Sequence, residues 1–108
     1  MTTTATYIQT EAEFDALLTA EPIMVVDCTA TWCGPCKVIS PLIDKLAGEY
    51  VDRAKVFKVD IGENGSIAKR FGIRSIPAVM FFKQGELKET MIGVKSYEDF
   101  SQALERSL

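Results

Sequence analysis

Apolar residues in this chain fall into short runs and helical stripes that alternate from one end to the other. Ile23-Met24-Val25-Val26-Asp27-Cys28 is a run rich in branched side chains between Pro22 and Thr29, and Ala54 to Ile61 is a second run. Their length and flanks predict strands buried on both faces. Helical spacing surrounds them. Thr10-Glu11-Ala12-Glu13 has the form of a capping box, with Thr10 as N-cap and Glu13 returning to it, and Phe14, Leu17 and Leu18 then share one face. A longer stripe of Ile39, Ile43, Leu46 and Tyr50 starts around Cys33 to Pro35, where a proline in the first turn forfeits no hydrogen bond. Pro41 lies within that stripe and predicts a kink near Lys37 to Pro41.

Ser66 to Phe71 reads as a short helix with Ile67, Ala68 and Phe71 inward. Ala78 to Phe82 and Leu87 to Ile92 read as strands joined by a tight hairpin at Gln84-Gly85. Ser96 caps a last helix, with Asp99 three residues on and Tyr97, Phe100, Leu104 and Leu108 inward. The order is β-α-β-α-β-α-β-β-α, with the opening strand ahead of the first helix. Helix-linked strands pair in parallel and a terminal hairpin pairs antiparallel, so the class is α/β, a mixed sheet covered by helices. With no linker or repeat in 108 residues, residues 1–108 read as one domain.

Composition narrows the chemistry. The chain has 47% hydrophobic and 25% charged residues, an ordinary globular balance that disfavours disorder. Twelve basic and fifteen acidic residues give a net charge of -3, the wrong sign for a nucleic-acid footprint. The start of the chain, from Met1 to Tyr7, lacks the basic and apolar segments of a signal peptide, and no apolar run approaches a membrane span. A cytoplasmic protein is expected; a stroma or matrix location follows if a transit segment has been removed. There is no histidine, which removes His-activated nucleophiles and His-ligated metal centres.

Three cysteines remain, two of them in Trp32-Cys33-Gly34-Pro35-Cys36 where a strand gives way to a helix. Residues three apart on a helix lie within disulfide reach, with Cα atoms about 5–5.5 Å apart. Cys33 would sit at the helix N-terminus, where free N–H groups and the helix dipole stabilise a thiolate. Cys36, one turn in, would be the more buried sulfur. That division gives an exposed nucleophile, Cys33, and a resolving thiol, Cys36, while Gly34 and Pro35 keep bulk away from both. Cys28, Cys33 and Cys36 also have a spacing found in iron–sulfur proteins, but a cluster or a structural zinc wants a fourth ligand, so no metal is expected. Cys28 is expected to be a small core residue. Asp27 near the end of its strand is either solvated or buried with a raised pKa; a proton acceptor and an ion-paired structural acid are both open readings.

With its surroundings the motif resembles the thioredoxin family over nearly the whole chain. The shared features are Asp27, Trp32 to Cys36, Pro41, Lys58, Gly72-Ile73-Arg74-Ser75-Ile76-Pro77, Phe82 to Glu86 and Gly93. The resemblance implies a thioredoxin fold, a central mixed five-stranded sheet flanked by four helices. It implies reduction of disulfides in target proteins through a Cys33–Cys36 redox disulfide, with Asp27 as proton acceptor for Cys36 and Lys58 tuning Asp27. It further implies a cis Ile76-Pro77 bond beside the disulfide, and a flat docking patch of Trp32, Gly34, Pro35, Ile76, Pro77, Gly93 and Val94. No bound cofactor is needed, since the two sulfurs carry both electrons. The implied partners are disulfide-containing targets and a thioredoxin reductase, NADPH- or ferredoxin-dependent, with a monomer suited to shuttling and no nucleic-acid or membrane partner. Many members have an aromatic at Cys28, Trp at Thr29 and Thr at Ala78. Disulfide-forming and isomerising relatives usually place histidine between the cysteines, so Gly34-Pro35 favours a reductant. A redox-gated binding module is the rival from outside enzymology.

Overall fold

The computed structural model describes residues 4–108. Residues 1–3, on which part of the expectation about a signal peptide falls, lie outside the described residues. Nine elements follow in order: β1 (Thr6–Tyr7), α1 (Glu11–Ala20), β2 (Ile23–Thr29), α2 (Gly34–Glu49), β3 (Lys55–Asp60), α3 (Gly65–Arg70), β4 (Ala78–Lys83), β5 (Glu86–Ile92) and α4 (Tyr97–Ser107). The strands form one five-stranded sheet in the order β1-β3-β2-β4-β5. β1, β3 and β2 are parallel, whereas β4 is antiparallel to both β2 and β5. The expected mixed sheet with four helices is present; the opening strand, expected only by its place in the order, is Thr6–Tyr7, and the expected bounds recur within two residues.

Alternation along the central strands divides the interior in two. Ile23 and Val25 of β2, with Val79 and Phe81 of β4, pack against Ile39, Ile43 and Leu46 of α2 and Phe100 and Leu104 of α4. Met24, Val26 and Cys28 point the other way, with Met80 and Phe82, onto Phe14 of α1 and Ile67 of α3. Fully burying a large apolar side chain contributes about 1.5–3 kcal/mol, so each layer is held chiefly by a few such residues. Phe14, Phe71 and Phe82 add tilted and edge-on ring contacts, with centroids 5.4–5.9 Å apart, on the α1/α3 side.

Local signals explain the ends of the elements. Thr10 Oγ1 accepts the Glu13 N–H at 3.1 Å, but the Glu13 carboxylate reaches past Thr10 to the Gln9 N–H at 2.6 Å, so the expected box closes one residue early. Ser96 and Asp99 form the full reciprocal box of α4. Leu108, expected inward, ends that helix exposed, and Ala103 and Ser107 are buried beside Phe100 and Leu104. The Gln84-Gly85 turn takes positive φ at both residues, 54° and 78°, which matches the twist of the flanking strands. Pro41 denies the Lys37 carbonyl its usual donor, and α2 runs through it as one 16-residue helix, with Ile39, Ile43 and Leu46 buried on both sides of the proline.

Candidate active site

The C-terminal end of β2 delivers the chain to the site. Ala30 is buried, and its carbonyl accepts the Cys33 N–H at 3.2 Å, which fixes a tight turn into α2. Cys33 is the N-cap of the helix, with Gly34 and Pro35 in its first turn. Cys33 and Cys36 are joined as a disulfide with Cα atoms 5.3 Å apart, as the three-residue spacing predicts. The Cys36 N–H donates to Cys33 Sγ at 3.2 Å, so a backbone donor already points at the sulfur expected to carry charge. One expectation needs correction. Cys33 is only 5% exposed and Cys36 1%, because Ala30, Ile61 and Ile76 close around both residues. The order of exposure is as expected, but Cys33 is not an open surface group in the disulfide form.

The family-implied docking residues gather around this pair. Ile76-Pro77 is a cis bond, and Ile76 packs on the disulfide. The Pro77 carbonyl accepts the Gly93 N–H at 2.8 Å, tying the entry to β4 to the end of β5. Trp32 is 72% exposed, which rules out a core aromatic, and Pro35 and Val94 are exposed as well. Pro77 itself is buried, with Ile76 and Gly93 half-buried, so the patch has a covered floor and an exposed rim. Gly34 is exposed, and a Cβ built there would meet no neighbouring atom, so packing does not demand glycine at that position.

Strand β2 also carries an ionisable group of the kind interiors avoid. Asp27 is 1% exposed, on the α2/α4 side of β2, and neither carboxyl oxygen has a hydrogen-bond partner among the described residues. Burial pushes its pKa up to about 7, against the pull of the Lys58 ammonium and with a smaller push from Asp44. Lys58, also buried, is Asp27's register partner on β3, but its ammonium bonds elsewhere. Nζ donates to Ser40 Oγ at 2.7 Å and pairs with Asp44 at 2.9 Å. Lys58 therefore acts on Asp27 through its field, without a direct ion pair. Sequence reasoning misses Ser40 and Asp44; the available signal is two polar residues at four-residue steps after Cys36, each next to a buried residue of the apolar stripe, Ile39 and Ile43.

Cys28 follows Asp27 but faces the opposite layer, fully buried among Val26, Phe14 and Ile67. Burial, with the nearby Asp27 charge, pushes its thiol up to about 12. Opposite it on β4 stands Ala78, so two of the three departures from the family pattern are direct cross-strand neighbours. No group of three or more Cys, Asp or Glu side chains suited to a metal ion occurs among the described residues, and Cys28 belongs to a different buried cluster from Cys33 and Cys36.

Comparison with known proteins agrees with this geometry. The family model described as Thioredoxin matches residues 5–106. Thioredoxin 1 of Synechococcus elongatus is 40% identical over 101 residues, covering 92% of this chain and 94% of that protein. Thioredoxin of Staphylococcus epidermidis is 37% identical over 99 residues, with the same coverage of 92% and 94%. Among solved structures, the oxidised form of mitochondrial thioredoxin 3 from Saccharomyces cerevisiae superposes with a TM-score of 0.86 at 30% identity, covering 94% of each chain.

Proposed function

The chain belongs to the thioredoxin family and is a protein-disulfide oxidoreductase, and we propose that its residues divide the work of dithiol–disulfide exchange as follows. The Cys33 thiolate attacks a target disulfide, forming a Cys33–target bond and expelling the target's other sulfur. Cys36 gives its proton to Asp27 and attacks Cys33 Sγ, so the mixed disulfide breaks and the target leaves as a dithiol. Two electrons pass from the cysteine pair to the target, and no bound cofactor is required. The observation that carries this reading is the Cys33–Cys36 disulfide spanning the N-cap and first turn of α2.

Docking follows from the same arrangement. Proline lacks an N–H, and the Pro77 carbonyl already receives Gly93, so Ile76 supplies the backbone groups left to pair with an extended target segment. Trp32, Gly34, Pro35 and Val94 would border that segment, over the floor of Ile76, Pro77 and Gly93. The partners are disulfide-containing proteins and a reductase that returns the electrons, NADPH-dependent in a cytoplasmic setting or ferredoxin-dependent in a stromal one. We place the chain in the cytoplasm, as a monomer, with neither nucleic acid nor membrane as partner; no helix among the described residues is long and apolar enough to cross a membrane.

Insulin reduction with reductase recycling tests the assignment. Cys33→Ser should abolish turnover, and Cys36→Ser should abolish it while accumulating a covalent adduct through Cys33. Turnover by Cys33→Ser would sink the mechanism. Tight stoichiometric binding by the Cys33→Ser, Cys36→Ser double variant, with no turnover by the parent, would favour a redox-gated binding module.

A further inference from the structure

Helix α2 carries more than the disulfide. Cys36, Ser40 and Asp44 follow at four-residue steps and so share one stripe of the helix. Lys58 reaches that stripe from β3, donating to Ser40 Oγ at 2.7 Å and lying 2.9 Å from Asp44 Oδ1. Asp44 Oδ1 is itself fixed by the Ala5 N–H at 3.1 Å. Asp27 lies beside Lys58 across the β2–β3 ladder, yet its two oxygens receive none of the ammonium's protons. The charged groups acting on it are Lys58 from β3 and Asp44 from α2; the residue facing it from β4 is the apolar Val79, and its strand neighbour is the neutral Cys28. Ser40 also lines a cavity of about 340 Å³ shared with Cys36, Tyr7, Lys37 and Asp60. Its hydroxyl thus stands between the buried lysine and the concavity at the disulfide.

We propose that Ser40 and Asp44 are positioning residues of the exchange site, holding the Lys58 ammonium on α2 and off the Asp27 carboxyl, so that the carboxyl can take the Cys36 proton. An ammonium bonded directly to Asp27 would favour the ionised form and weaken it as a base, commonly by one to three pKa units. With its charge offset by Asp44 and one proton given to Ser40, Lys58 stays close enough to moderate the cost of ionising Asp27 but does not capture it. In the resolving step the proton leaves Cys36 for Asp27 and a Cys36–Cys33 bond forms. The Cys33–target bond breaks with its electron pair on the target sulfur. The proposal rests on the dithiol–disulfide exchange reading of the same site.

Carboxyl carbon NMR titration of Asp27 in the oxidised protein reads this positioning without any turnover. Asp44→Asn should lower the Asp27 midpoint by about one unit, a tenfold change in acidity. Ser40→Ala should lower it by a smaller step, and Ser40→Thr, which keeps a hydroxyl, should restore the parent value. In a Lys58→Met background the Asp44→Asn shift should fall to less than half, because Asp44 acts mainly through the lysine it holds. An unmoved midpoint in both Asp44→Asn and Ser40→Ala, or an equal Asp44→Asn shift with and without Lys58, overturns the positioning. Insulin reduction by the parent, run in parallel, separates the two claims. An inert parent overturns the exchange reading and with it the role of Ser40 and Asp44, whereas an active parent with unmoved midpoints overturns the positioning alone.

Discussion

Asp27 and Cys28 are adjacent, both buried and both ionisable, yet the sheet sends them into different layers with opposite consequences. On the α2/α4 side, Asp27 lies near an ammonium and a second carboxylate, and its pKa rises from 3.8 to about 7. On the α1/α3 side, Cys28 lies among hydrocarbon, and its pKa rises to about 12. Burial raises both by a similar amount, from 3.8 for the acid and from 9.0 for the thiol, so the gap between them is chiefly the ordinary difference between a carboxyl and a thiol. Among the described residues Lys58 opposes the rise for the acid, whereas Asp27 adds to it for the thiol. One layer therefore holds a group that changes protonation near neutrality, and the other holds a group locked neutral. The aromatic α1/α3 layer is apolar throughout, whereas the other, charged layer also buries a carboxyl and an ammonium, at a cost in stability.

The largest expected effect tests the aromatic layer. Phe14→Ala removes a fully buried ring that contacts both Phe71 and Phe82, and should cost roughly 3–5 kcal/mol in denaturant unfolding. The Asp27 titration should stay at its parent midpoint, since no charged group is moved. A coupled change in that midpoint would show that the layers are not independent.

The charged layer should reveal itself through pH. The folded-state pKa of Asp27, about 7, lies above its ordinary value of 3.8, so the native protein holds this proton more tightly than the unfolded chain. The resulting stabilisation is complete below pH ~4 and is lost as pH rises through about 7, at most about 4 kcal/mol for a shift near three units. Asp27→Asn should flatten this decline, so that the variant gains on the parent between pH ~4 and 7 and keeps a constant advantage above. Unfolding of the oxidised proteins across that range measures it. Parallel parent and variant curves would mean that Asp27 titrates as an ordinary carboxylate.

How much of this contrast is legible in the sequence depends on the distance over which each residue is determined. The Ile23–Cys28 run, the caps at Thr10 and Ser96 and the Cys33–Cys36 spacing are local, and all of them recur in the fold. Strand alternation also separates Asp27 from Cys28 by face. It cannot say that both faces are sealed, which is why a solvated acid and a buried one are equally open readings of Asp27. The partners of Lys58 are less legible still. Lys58 belongs to β3, whereas Ser40 and Asp44 lie 18 and 14 residues earlier on α2, and only helix-on-sheet packing brings them together. The covering of Cys33 by Ile61 and Ile76 has the same origin, since three separate segments meet over the sulfur.

The smallest expected effect belongs to Cys28, where an absence of reactivity carries the meaning. A thiol with a pKa of about 12 is thiolate at only about one part in ten thousand at pH 8, and in the native fold it is also fully buried. Iodoacetamide applied at pH 8 to the reduced protein should therefore alkylate Cys33 first and leave Cys28 unlabelled until the chain unfolds. Cys28→Ala deletes a single heavy atom beside another small residue, Ala78, and should cost only about 1 kcal/mol. That cost should be constant between pH ~4 and 7, because neither the folded nor the unfolded thiol titrates there, in direct contrast to Asp27→Asn. Native-state labelling of Cys28 at a rate near that of Cys33 would show that the α1/α3 layer opens readily. Its thiol would then have to be counted among the protein's reactive sulfurs, and the division of labour between the two faces of the sheet would fail.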